Sequence, residues 1–169
     1  MTNRSDDKAS LDAGSPACSM HEADDGYMGY ATKDELVAFL NELLEAERAG
    51  ARVTLETARG ANTPQIAELM LTIQKDEARW CAMLSRHLKA LGSAPSTRTG
   101  AFYDKAMAIA DLGERLIFLN RGQNWVVRKL REALPRVRDD GLHRDLAEML
   151  QSHEANIALA EAVASGDSG

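Results

Sequence analysis

Ile73-Gln74-Lys75-Asp76-Glu77-Ala78-Arg79-Trp80 lies in the middle of a long segment whose apolar residues recur every three or four positions. Ile66, Leu69, Met70, Ile73, Trp80, Leu84, Leu88 and Leu91 share one stripe, the spacing of an amphipathic helix and not of a strand. Glu77 falls inside that stripe, four residues after Ile73 and seven before Leu84. A carboxylate on the face a helix buries is costly unless another group pairs with it. Three other segments each supply a candidate partner.

Thr63 and Pro64 open this segment as N-cap and first helical residue, and Gly92 to Thr97 break it after Leu91. Upstream, Thr32 with Glu35 forms a capping box for a helix running to Arg59, whose face carries Leu36, Leu40, Leu43, Glu47, Ala51 and Thr54. Downstream, a third helix is expected from Ala101 to Leu134 with Phe102, Ala106, Ile109, Leu112, Leu116, Leu119, Gln123, Val126 and Leu130 inward. Gly113 and Gly122 each weaken it by about 1 kcal/mol relative to Ala, so a kink is expected near one of them. A fourth helix begins at Asp139 or Asp140 and continues to Ala164, with Leu142, Leu146, Met149, His153, Ile157 and Ala160 inward.

Composition agrees. Hydrophobic residues make up 44% of the 169, aromatics only 5%, and no alternating strand pattern is present. The expected fold is all-α: an antiparallel four-helix bundle over residues 32–165, preceded by an irregular arm (1–31) and followed by a frayed tail (166–169). Within the arm, Met1 to Gly14 is expected to be disordered, whereas Tyr27, Met28 and Tyr30 are expected to lie on the bundle.

A net charge of −6 argues against general attraction to nucleic acid or anionic membrane. No apolar run approaches the roughly twenty residues of a membrane span, and no signal-peptide layout is present, so the expectation is a cytoplasmic protein. Cys18 and Cys81 are expected as reduced thiols. Cys18 and His21 have a spacing seen in metal sites, and a small-molecule pocket under the arm is a further option. His87 and His143, near helix ends, are expected at the surface. Phe118 and Trp125 are either outer core or a homodimer surface.

Each helix thus carries an unexpected polar residue in its apolar stripe: Glu47, Glu77, Gln123 and His153. Glu47 lies thirteen residues before Gly60 and Glu77 thirteen after Pro64, so the two are level across the first hairpin. Gln123 lies twelve residues before Pro135 and His153 thirteen or fourteen after the fourth helix's start, so these two are level across the second. Two carboxylates, an amide and an imidazole at one depth suit either of two arrangements. One is a metal ion, iron, manganese or zinc, held by Glu47, Glu77 and His153 with Gln123 and Glu154 as accessory ligands. The other is a metal-free hydrogen-bond network that fixes helix register.

The stretches Glu42-Leu43-Leu44-Glu45-Ala46-Glu47-Arg48-Ala49-Gly50, Asp76-Glu77-Ala78-Arg79-Trp80-Cys81, Leu119-Asn120-Arg121-Gly122-Gln123-Asn124-Trp125 and Ser152-His153-Glu154-Ala155-Asn156-Ile157 resemble the ferritin-like superfamily. They resemble most a bacterial ferritin-like family of unassigned function, over about Ser15 to Val163. The resemblance implies two antiparallel helix pairs joined by a long crossover, for which the linker would recruit the first turns of the third helix. It also implies a di-iron centre with a Glu on the first and third helices and Glu-x-x-His on the second and fourth. Glu47, Glu77 and His153 match that pattern. Trp80, Gln123 and Leu150 depart from it, with Glu154 as an off-register substitute.

Overall fold

The Thr32 hydroxyl accepts the Glu35 backbone N–H at 3.3 Å, and the Glu35 carboxylate accepts the Thr32 backbone N–H at 2.8 Å. This reciprocal cap starts α1, Lys33–Arg59. Thr63 caps Ile66 in the same way, and Pro64 opens α2, Pro64–Ala90. Gly92, at φ 73°, then turns the chain out of α2 in a conformation that favours glycine. These elements come from a computed structural model that describes residues 26–166.

The expected third helix is two. Phe102–Met107 forms a short helix, α3, and α4 begins only at Leu112 and runs to Ala133. The interruption has local causes. Asp111 caps the Glu114 N–H at 2.8 Å, and the Arg115 guanidinium takes up the Ile109 carbonyl at 2.6 and 3.0 Å. The break falls just before Gly113, and α4 runs through Gly122 without interruption. A 3₁₀ turn, Leu134–Arg136, carries Pro135. The last helix, α5, spans Asp140–Ser165 between the Asp139 N-cap and Gly166 in the left-handed region.

Side-chain pairs fix the directions. Glu35, near the start of α1, meets Arg136 beyond the end of α4, and Glu42 meets Lys129, so α1 and α4 are antiparallel. Arg86 meets Asp145 and Asp76 meets Ser152, so α2 and α5 are antiparallel. The order is up, down, down, up, and four main helices pack as an antiparallel bundle. Since α2 and α4 run the same way, residues 91–111 must return the length of the bundle, about 40 Å for a 27-residue helix. They climb α1: the Ser96 N–H donates to Asn41, Arg48 donates to the Arg98 carbonyl, and Arg52 lies over the Tyr103 ring at 4.1 Å.

The core is in two parts. Leu40, Leu43, Leu44, Trp80, Met83, Leu84, Leu88, Val126, Leu130, Leu142, Leu146 and Met149 fill one end, and Val53, Leu69, Met70, Ile73, Ala106 and Leu119 the other. Along each main helix one of the four polar residues lies at the boundary between these parts or just beyond the first of them. No helix among the described residues is long and apolar enough to cross a membrane.

Two expectations at the edge of the bundle need correcting. Tyr27 and Met28 do not lie on the helices; they are 89% and 65% exposed. Only the end of that stretch docks, through the Ala31 N–H to the Arg136 carbonyl (2.9 Å) and Arg138 over Tyr30. Cys18 and His21 lie outside the described residues. On α5 Asn156, not Ile157, is the buried residue, because it reaches Asp76 on α2.

Candidate functional site

Glu47, Glu77, Gln123 and His153 are all buried, and the bundle joins them as two pairs. His153 Nε2 lies 3.1 Å from Glu47 Oε1, and its Nδ1 lies 3.0 Å from the Met149 carbonyl. A carbonyl can only accept, so Nδ1 carries a hydrogen, and Nε2 shares one proton with Glu47. Burial works against a charged imidazole, but the Glu47 carboxylate and its hydrogen bond outweigh it and raise the His153 pKa.

The second pair is anchored by an amide. Gln123 Nε2 donates to Glu77 Oε1 at 2.8 Å, and Thr54 Oγ1 lies 3.2 Å from Glu77 Oε2. Burial first, and the nearby Glu47 charge second, push the Glu77 pKa well above the ordinary carboxyl range. The neutral acid makes local sense. The Thr54 hydroxyl has one proton and the Gly50 carbonyl lies 2.9 Å away to take it. A protonated Glu77 then supplies the other hydrogen of the Thr54–Glu77 contact.

Close packing locates that carboxyl. A Cβ on Gly50 would come within 2.4 Å of Glu77 Oε1, so the glycine in α1 makes the room the carboxyl occupies. Thr54, Gly50, Asp76 and Asn156 escape a reading based on apolar stripes. Thr54 reads as an ordinary face residue, and Gly50 as a weak helix position. The available signal was their spacing: Gly50 and Thr54 follow Glu47 by three and seven residues, on one face. Asp76 Oδ2 accepts from both Ser152 and Asn156 at 3.1 Å, which ties α2 to α5 beside the layer.

Glu154 does not join the interior. It is exposed and pairs with Arg131 at 2.6 Å, because the residue after His153 points some 100° away around the helix. Trp80 fills the core where the resemblance would put a histidine, and Leu150 packs against the same cluster. Cys81 is partly buried, and burial, with the Glu47 charge, pushes its thiol pKa up to about 12. His87 is not a free surface residue: its Nε2 meets Asp145 at 2.8 Å with both side chains mostly covered. His143 is exposed as expected. Among the described residues no three His, Cys, Asp or Glu side chains converge as a metal-ligating group.

Under the crossover lies a cavity of about 480 Å³. Residues 99–102 cover it, Phe118, Leu119 and Val126 wall it, and Glu47, Glu77 and Gln123 stand at its buried end. Phe102 stacks on Phe118 with ring centroids 5.0 Å apart. Two oxygens of that buried end, Glu47 Oε2 and Gln123 Oε1, have no hydrogen-bond partner. The site therefore combines an apolar wall, a buried carboxyl with a raised pKa, an imidazole–carboxylate pair and two unsatisfied acceptors.

No curated protein matches the chain. The family described as a domain of unknown function (DUF6306) has a model that matches residues 34–162, from the first turn of α1 to the last turn of α5, and the chain belongs to that family.

Proposed function

We propose that this protein is a small-molecule-binding bundle on a ferritin-like frame, with its binding site in the cavity beneath the crossover. The up–down–down–up order with one long return link supports the ferritin-like reading. The observation that carries the binding reading is the cavity itself: about 480 Å³, mostly apolar, with a few convergent polar groups at its buried end. That size and lining are typical of small-molecule sites.

The di-metal centre of that superfamily does not fit the residues present. Trp80 and Leu150 offer no ligand atom, Gln123 points its amide nitrogen at Glu77, and both Glu77 oxygens already have partners. A single iron, manganese or zinc ion is a second reading. It is favoured by the unpartnered Glu47 Oε2 and by His153, whose Nδ1–H is held by a carbonyl as in ligating histidines. Glu77 would have to leave Gln123 and Thr54 to complete it.

One set of measurements separates the readings. Ala46 lines the cavity, so thermal shifts with a panel of small amphiphiles should give saturable stabilisation that is lost in Ala46→Leu, where the larger side chain fills it. No stabilisation, or stabilisation unchanged in Ala46→Leu, overturns the binding reading. Stoichiometric metal in protein purified without chelator, lost in Glu47→Ala, would put the single-ion reading in its place.

A further inference from the structure

We infer that the ligand of this cavity has an apolar, aromatic-compatible body and a hydrogen-bond-donating cationic head, that of a primary amine, seated against Glu47 and Gln123. The inference rests on the binding reading above and specifies its ligand class.

Glu47 Oε2 and Gln123 Oε1 are buried acceptors without a donor. The other Glu47 oxygen is held by His153, and the Gln123 nitrogen is committed to Glu77. An incoming carboxylate or carbonyl would add acceptors to a site that already has two in excess, and a hydrocarbon would leave both unpaired. A primary ammonium brings three donors on a compact head.

The charges agree. At the buried end the fixed groups are the Glu47–His153 pair and the Glu77 acid, which faces Glu47 from α1, Gln123 from α4 and Asp76 on its own helix. None of these presents an unpaired positive charge to the cavity. Arg121 and Arg128 line the mouth, but they are exposed, where solvent and salt screen them, and Glu42 and Glu45 line it with them. The walls suit the body of such a molecule: Phe102, Phe118 and Trp125 line the cavity, and aromatic rings there offer apolar surface.

The test is titration calorimetry of the full chain with four probes of one shape: 2-phenylethylamine, 2-phenylethanol, ethylbenzene and 3-phenylpropionate. The amine should bind at least about tenfold more tightly than ethylbenzene or 3-phenylpropionate, with the alcohol between them. Ala46→Leu should weaken all four, and Glu47→Gln should weaken the amine selectively. If the four bind alike, or the carboxylate binds best, the inference falls while the binding reading stands. If none binds to the wild-type protein, both fall. The comparison among probes on the unaltered chain decides the matter even if Glu47→Gln fails to fold.

Discussion

Gly50 and Glu77 compete for the same space: a Cβ on the glycine would sit 2.4 Å from one carboxyl oxygen and 2.8 Å from the carboxyl carbon. Ala in a helix interior is ordinarily about 1 kcal/mol better than Gly. Here the added methyl drives the carboxyl away from Gln123 and Thr54, and overpacking of this kind costs about 1–3 kcal/mol. Gly50→Ala is therefore expected to lower stability by about 1 kcal/mol net, and more if both hydrogen bonds are lost. Urea unfolding measures it. A gain in stability would show that Glu77 is not held where the structure has it.

Glu77→Gln is expected to be close to neutral at low pH, since an amide can accept from Gln123 and meet the Thr54 hydroxyl as a protonated acid can. The two proteins should then diverge with pH. The folded pKa of Glu77 is raised, so between the unfolded value, about 4.3, and the folded one the native state binds the extra proton. The acid's contribution is fully present below that unfolded value and falls as pH rises toward the folded pKa. Glu77→Gln should gain on the wild type across that window in denaturation series. A constant difference would mean that Glu77 ionises normally.

The levels of Glu47, Glu77, Gln123 and His153 were readable because each interrupts an apolar stripe and each hairpin has a marked turn. How they pair was not, since pairing depends on rotamers and on the helix neighbours. Glu154 illustrates the limit of proximity in sequence: adjacent to His153, it points to solvent and Arg131. The crossover was half readable. The ferritin-like resemblance implied a crossover that recruits the start of the third helix, but the break at residues 108–111 is set by Asp111 capping and the Arg115–Ile109 contact. An apolar stripe that runs through Ile109 and Leu112 conceals that break.

His153→Leu leaves the Glu47 carboxylate buried without its partner, and breaking a buried pair from one side typically costs about 3–5 kcal/mol. Replacing both, as Glu47→Met with His153→Leu, removes the charge along with its partner and is expected to recover most of that loss. The pair also sets a pH dependence. The His153 pKa is raised by folding, so its contribution is complete below the unfolded value, about 6.5, and is lost as pH rises through the folded one. A double-mutant cycle measured on both sides of that window checks both statements. Additive single losses would show that the two residues act independently.

Gly122 does for the crossover what Gly50 does for the carboxyl. A Cβ there would lie 2.7 Å from the tip of the Phe102 ring, which packs against α4 and stacks on Phe118. Gly122→Ala should therefore push Phe102, and with it the roof of the cavity, off α4. Helix propensity gains about 1 kcal/mol at the substituted position, so global stability should change little. The local effect should be larger: amides of residues 99–107 should lose protection from hydrogen exchange while those of α2 and α5 keep theirs. Phe102→Ala gives the matching control, with the same loss of protection and none of the added bulk. If Gly122→Ala leaves exchange in that segment unchanged, the crossover is held by Asn41, Glu45 and Arg48 on α1 alone, and the cavity roof is independent of α4.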